Sequence, residues 1–120
     1  MPSSLSYSFS KDRRLTRASE FEHVRRDGLS LRGKLLILGA VVVGNSGLFR
    51  AGFITSRHLG SSVARNRVRR RLREIVRQHQ HDLRRDVWFV VVARSAAVNA
   101  SYQALEHEWL RLARRASILL

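Results

Sequence analysis

Between Arg65 and Arg77 the chain carries seven arginines and one glutamate, with four aliphatic residues set among them. Val68, Leu72, Ile75 and Val76 fall at i, i+4, i+7 and i+8, the pattern of a helix with one face turned to a core. The segment must therefore be a helix lying on something apolar, with its other faces positive. Leu59-Gly60-Ser61-Ser62 ahead of it supplies a loop and N-caps, so the helix is expected from about Val63 to His79. Arg65, Arg69, Arg73 and Arg77 repeat every fourth residue, and Arg67, Arg70 and Arg71 flank the apolar stripe. Like charges at that spacing repel, a cost that a covering polyanion removes. Solvated faces mix signs, and this one does not.

The whole chain has the same bias. Lys plus Arg total 23 against 9 acidic residues, a net +14. Residues 57–77 hold +7 of it, eight Arg minus Glu74. At 44% hydrophobic residues the chain is too apolar for a disordered basic tail. A folded domain with so large a positive field expects nucleic acid as partner first and an anionic membrane second. All but Lys11 and Lys34 of the cations are Arg. That suits phosphate and base recognition, and a GC-rich genome gives the same bias. A length of 120 residues suits one domain: a loose Ser-rich tail over 1–10, then one RNA-binding domain over 11–120. The absence of cysteine removes disulfides, thiolate zinc sites and cysteine nucleophiles. The longest apolar run, Leu35 to Val43, is too short for a membrane span, and Met1 to Ser10 lacks a signal-peptide core. A cytoplasmic protein is expected.

The remaining elements follow from periodicity. Leu15, Phe21 and Val24 form an apolar stripe, so a short helix is expected over Thr16 to Asp27, stopped by Gly28. Lys34 to Val43 reads as a strand, and Gly44-Asn45-Ser46-Gly47 as a hairpin turn into a return strand over Phe49 to Arg57. Alternation puts Ala51, Phe53, Thr55 and Arg57 on one face of that strand and Gly52, Ile54 and Ser56 on the other. Asp86 to Arg94 is apolar on both faces, so it should be a central, buried strand. Asn99 or Ser101 caps a last helix whose stripe is Tyr102, Leu105, Trp109, Leu112 and Ala116. The order α-β-β-α-β-α gives an α+β fold, an α/β sandwich with helices on a central sheet.

Ser56-Arg57-His58-Leu59-Gly60-Ser61-Ser62-Val63-Ala64-Arg65-Asn66-Arg67 resembles the signature of the bacterial ribonuclease P protein component. Arg14-Leu15 with Phe21 and Gly28, Ala51-Gly52-Phe53, Val91-Val92-Ala93-Arg94, and Tyr102 with Leu105 extend the likeness in order over residues 11–115. The resemblance implies the protein subunit of a ribonucleoprotein endonuclease that removes the 5′ leader from precursor tRNA. It implies that the RNA subunit holds the active site and its Mg²⁺, so the protein carries no catalytic residue, metal or cofactor of its own and needs no obligate protein partner. It implies that the RNA subunit is bound through Arg57, His58, Arg65, Asn66, Arg67, Arg69, Arg70 and Arg73. It implies a leader cleft between the sheet and the first helix, involving Arg17, Phe21, Arg25, Lys34 and Phe53. It also implies a left-handed βαβ crossover, where general rules favour the right hand.

Several residues depart from the family pattern. Arg57-His58 stands where two Lys are frequent, which makes the second charge pH-dependent. Arg25 occupies a position that is often aromatic, and Gly39 one that can be Tyr. Phe21 and Phe53 remain as stacking groups or as core residues, and Asn66 as a helix cap or as a contact to sugar or base. The rival readings are weaker. His79-Gln80-His81-Asp82 offers a nuclease two His that point apart at i, i+2, and no nucleophile-elbow motif is present. A structural RNA-binding protein, such as a small ribosomal protein, shares the charge and size. A membrane-surface helix would want Trp or Phe on its apolar side, and this one has Val and Ile.

Overall fold

A computed structural model describes residues 13–44 and 47–120. The tail expected over 1–10 lies outside the described residues, as do Asn45 and Ser46 of the expected turn. The elements in chain order are α1 (Ala18–Asp27), β1 (Leu29–Arg32), β2 (Leu36–Val42), β3 (Arg50–Ile54), α2 (Ser62–Gln78), β4 (Val87–Ala93) and α3 (Tyr102–Arg115). Short 3₁₀ turns at Arg57–Leu59, Gln80–Asp82 and Ser95–Asn99 join them.

Among the described residues the sheet has four strands in the order β1-β2-β4-β3. β1 pairs antiparallel with β2, β2 antiparallel with β4, and β3 parallel with β4. Two expectations are corrected here. Leu29–Arg32 is a strand that periodicity did not reveal, since it is only 4 residues long and mostly exposed. The strands on either side of Gly44–Gly47 do not form a hairpin, because β4 lies between them. Val87 to Val92 carries apolar side chains on both faces, and insertion between two partners buries more of them than an edge position would. The hairpin of this sheet is instead β1–β2, turning at Gly33 and Lys34. Arg57, expected at a strand end, lies in a 3₁₀ turn.

Each face of the sheet carries its own layer. α2 and α3 cover one face, burying Val68, Leu72, Ile75 and Val76 of α2 and Leu105, Trp109, Leu112 and Ala113 of α3 against Leu36, Leu38, Phe89 and Val91. The Trp109 ring lies 6.2 Å from that of Phe89. Each fully buried aliphatic side chain contributes about 1.5–3 kcal/mol, so these stripes hold both helices whatever their surface charge. α1 covers the other face through a smaller cluster of Leu15, Val24 and Val90, with Phe21 and Trp88 packed beside it. Gly28 ends α1 where a Cβ would lie 2.3 Å from the Ala40 carbonyl oxygen, so only glycine lets the chain turn into β1 there.

Candidate nucleic-acid interface

Ser61 caps α2, its hydroxyl accepting the N–H of Ala64 at 3.2 Å. Gly60 just before it has φ +128°, a backbone that disfavours any side chain. Asn66 therefore does not cap the helix; it stands one turn inside, exposed. Its Oδ1 accepts from Arg69 Nη1 at 2.9 Å, and its amide N–H₂ is left without a protein partner among the described residues.

Of the seven arginines of α2, Arg65 is half-buried, with its Nε enclosed, and the other six divide into three groups. Arg67 and Arg70 are exposed and make no ion pair among the described residues. Arg57 and His58 are exposed on the 3₁₀ turn that leads to the same helix end, and the Ser56 hydroxyl lies 2.9 Å from His58 Nδ1. Arg71 and Arg77 serve the fold. Arg71 donates to the Ala100 carbonyl at 2.9 Å, tying α2 to the start of α3, and Arg77 pairs with Glu74 at 2.5 Å. Arg69 and Arg73 turn back toward β3. Arg69 also donates to the Thr55 hydroxyl.

Arg69 and Arg73 join Arg14 around a groove of about 280 Å³ lined also by Phe21, Gly52 and Phe53. Among the described residues no acidic side chain lines it. Burial first, and then the neighbouring Arg14 and Arg69 charges, push the Arg73 guanidinium below the ordinary arginine value. Crowded cations in a concave, half-dry site favour an anion.

A second, larger hollow of about 450 Å³ opens between α1 and the sheet. Phe21, Val24, Leu29, Ile37, Ile54, Val90 and Val92 make it almost wholly apolar, and Arg25 and Gly39 lie on its wall. Phe21 borders both hollows. Its ring lies over Gly52, where a Cβ would come within 2.5 Å of it, so the glycine lets the ring rest on β3. Arg25 pairs with Glu22 at 2.6 Å on the exposed side of α1.

Three expected cleft residues are placed elsewhere. Phe53 lies on the opposite face of β3, packed against the main core, with one edge on the small groove. Lys34 sits exposed in the β1–β2 turn. Arg17 is the exposed N-cap of α1, where its backbone N–H and that of Thr16 each donate to Glu20 at 2.9 Å. Ile37, Ile54, Val90 and Val92 of the cleft floor were not singled out from sequence. The two-faced apolar pattern of β4 was the available signal for Val90 and Val92. Arg32 was also missed. It pairs with Ile37 across the strands, so it projects on the cleft face.

Among the described residues no three His, Asp or Glu side chains converge where they could hold a metal ion. His79 is engaged with Glu106 at 2.8 Å. No helix among them is long and apolar enough to cross a membrane.

The sequence model of the family described as Ribonuclease P matches residues 9–117. The ribonuclease P protein component of Chloroflexus aggregans is 38% identical over 107 residues, covering 88% of this chain and 78% of that protein. That of Syntrophomonas wolfei is 32% identical over 110 residues, covering 90% of each. Among solved structures, a Staphylococcus aureus RNase P protein mutant superposes with a TM-score of 0.85 at 22% identity, covering 91% of this chain and 92% of the other. The Thermotoga maritima RNase P protein gives 0.77 at 23% identity, covering 85% and 96%.

Proposed function

The chain belongs to the ribonuclease P protein family, and from that premise we propose how its surfaces divide the work of precursor tRNA maturation. The N-terminal half of α2, with Arg57 and His58 beside it, grips the phosphates of the RNA subunit. Arg65, Asn66, Arg67 and Arg70 are the principal contacts. The apolar hollow between α1 and the sheet takes the 5′ leader of the precursor. Bases lie against Phe21 and the aliphatic floor, and a backbone phosphate lies in the Arg14–Arg69–Arg73 groove. The observation that carries this reading is the adjacency of the two hollows across Phe21: an apolar trough runs into a groove walled by Arg14, Arg69 and Arg73. That sequence of surfaces matches a single strand with stackable bases and a charged backbone.

Cleavage belongs to the RNA subunit, and so do the Mg²⁺ ions it requires. The protein's part is positional. Arginine contacts release counterions from the RNA, and leader contacts exist for precursor and not for mature tRNA, so substrate is favoured over product. The protein acts in the cytoplasm.

The test combines capture and salt dependence. RNA co-purified with the tagged protein is sequenced, and the RNA subunit is the expected enriched species. Ribosomal RNA alone would overturn the reading. Replacing Arg65, Arg67 and Arg70 with Ala should flatten the salt dependence of RNA-subunit binding, by about 0.7–0.9 in log–log slope per lost contact. An unchanged slope would remove α2 from the interface.

A further inference from the structure

α3 has an outer surface for which leader and α2 contacts give no role. Leu105, Trp109 and Leu112 are fully buried against the sheet. His107, Arg111, Arg114 and Arg115 are exposed, at i, i+4, i+7 and i+8, so they form a stripe on the solvent side of the helix. The helix has two acids, Glu106 and Glu108. Glu106 is engaged with His79 at 2.8 Å. Glu108 is buried and accepts the backbone N–H groups of Leu35 and Leu36 at 2.6 and 2.7 Å. Arg111 pairs with its other oxygen at 3.5 Å. Arg114 and Arg115 have no ion pair among the described residues, nor does Lys34. The Glu108 bonds hold the β1–β2 turn beside this part of α3, which adds the exposed Lys34 to the same neighbourhood.

Cations in the last turn of a helix complement its dipole, which accounts for Arg114 and Arg115 singly. It does not account for Lys34, nor for Arg111, whose acidic partner Glu108 is already bonded to two backbone N–H groups. α2 and α3 lie in one layer on the same sheet face, tied by Arg71 to Ala100 and by His79 to Glu106. Their outer sides face the same way, at an interhelix distance of about 8–10 Å for packed helices. The α3 stripe from residue 107 to 115 runs about 12 Å at 1.5 Å per residue, long enough to follow several phosphates.

We infer that Lys34, Arg111, Arg114 and Arg115 form a second contact surface for the phosphate backbone of a double-helical segment of the RNA subunit, continuous with that of α2. The recognition is electrostatic and indifferent to sequence. It rests on the RNA-binding role of the chain and not on the path of the leader.

The experiment uses the full chain with Lys34, Arg111, Arg114 and Arg115 changed to Gln. Binding is measured against salt with three probes: a plain RNA duplex of about 16 base pairs, the RNA subunit alone, and precursor tRNA alone. Four lost contacts should lower the log–log slope by about 3 for the duplex and for the RNA subunit; a fall with precursor tRNA and none with the RNA subunit overturns the assignment. Changing the three arginines to Lys should keep the slope. Should the fourfold variant melt early, Arg114→Gln with Arg115→Gln removes half the contacts and should lower the slope by about 1.5. An Arg67→Gln, Arg70→Gln variant on α2 is the control. A slope that falls for that control and for neither α3 variant overturns this inference alone. A slope that falls for none of them overturns RNA binding by this layer altogether.

Discussion

Glu108 offers the sharpest test of how this fold is held. Its carboxylate is buried and accepts two backbone N–H groups, from Leu35 at 2.6 Å and Leu36 at 2.7 Å. The same oxygen excludes a side chain at residue 33: a Cβ on Gly33 would lie 2.4 Å from Glu108 Oε2. Gly33 is therefore there for space and not for its backbone angle. Arg94 secures the turn from the other side, donating to the Gly33 carbonyl at 2.6 Å. Glu108→Ala strands two donors, of which Leu36 lies in the core, at about 1–3 kcal/mol each. A loss of about 2–6 kcal/mol is expected from the two together. Gly33→Ala alone forces the carboxylate aside, at about 1–3 kcal/mol. In the double variant the obstructing oxygen is gone, so Gly33→Ala should cost almost nothing further, a coupling of about 1–3 kcal/mol. Urea unfolding of the four proteins measures this, with equal m-values required for the comparison. If Gly33→Ala costs as much in the Glu108→Ala background as in the wild type, the steric account of the glycine is wrong.

Three further outcomes are expected. Phe21→Ala should lower the preference for precursor over mature tRNA while costing less stability than the roughly 3–5 kcal/mol of a fully buried Phe, because Phe21 is only half-buried; full-size destabilisation with unchanged preference would make it a core residue. Arg25→Ala should leave the melting temperature nearly unchanged, since its pair with Glu22 is exposed and such pairs contribute about 0–1 kcal/mol, and should reduce precursor affinity most at low salt. Burial of Glu20 pushes its carboxyl up, but hydrogen bonds from Arg17, Thr16 and Arg50 outweigh it and hold the group below its ordinary 4.5. The stability it contributes is then complete above that value and lost as pH falls through the lower folded one, so thermal melts of wild type and Glu20→Gln should differ at neutral pH and converge in acid.

The helices were legible because each needs only its own stripe. Val68, Leu72, Ile75 and Val76 place α2 from local spacing alone, and the observed Ser62–Gln78 differs from the expected bounds by one residue at each end. The sheet order was not legible, because strand pairing is settled by non-local burial. Gly44 and Gly47 do take left-handed φ, +83° and +87°. Which strands lie side by side after them depends on β4, about 40 residues further on. β1 was hidden for a related reason: Leu29–Arg32 is a strand chiefly because β2 offers it an edge and Glu108 fastens the turn between them.

The site divides along the same line. Arg67 and Arg70 are exposed cations on a helix, and their role as a charged surface needs no partner element to be read. Arg69 and Arg73 lie on that helix too, but their direction is set by Thr55, Arg14 and the edge of β3, none of which helical spacing can report. Phe53 shows the limit most plainly. Strand alternation grouped it with Ala51 and Thr55 and opposite Gly52 and Ile54, and the structure keeps that grouping. Which group faces the cleft depends on which layer covers which face. α1 lies over Gly52 and Ile54, so the cleft floor is aliphatic and Phe53 goes to the core. Of the two phenylalanines expected there, Phe21 alone is left as the cleft's aromatic ring. Among the described residues, the leader path proposed above then offers one stacking platform, an apolar floor and the cationic groove. The leader's hold on the protein should accordingly be more salt-sensitive than a cleft with several aromatic rings would be.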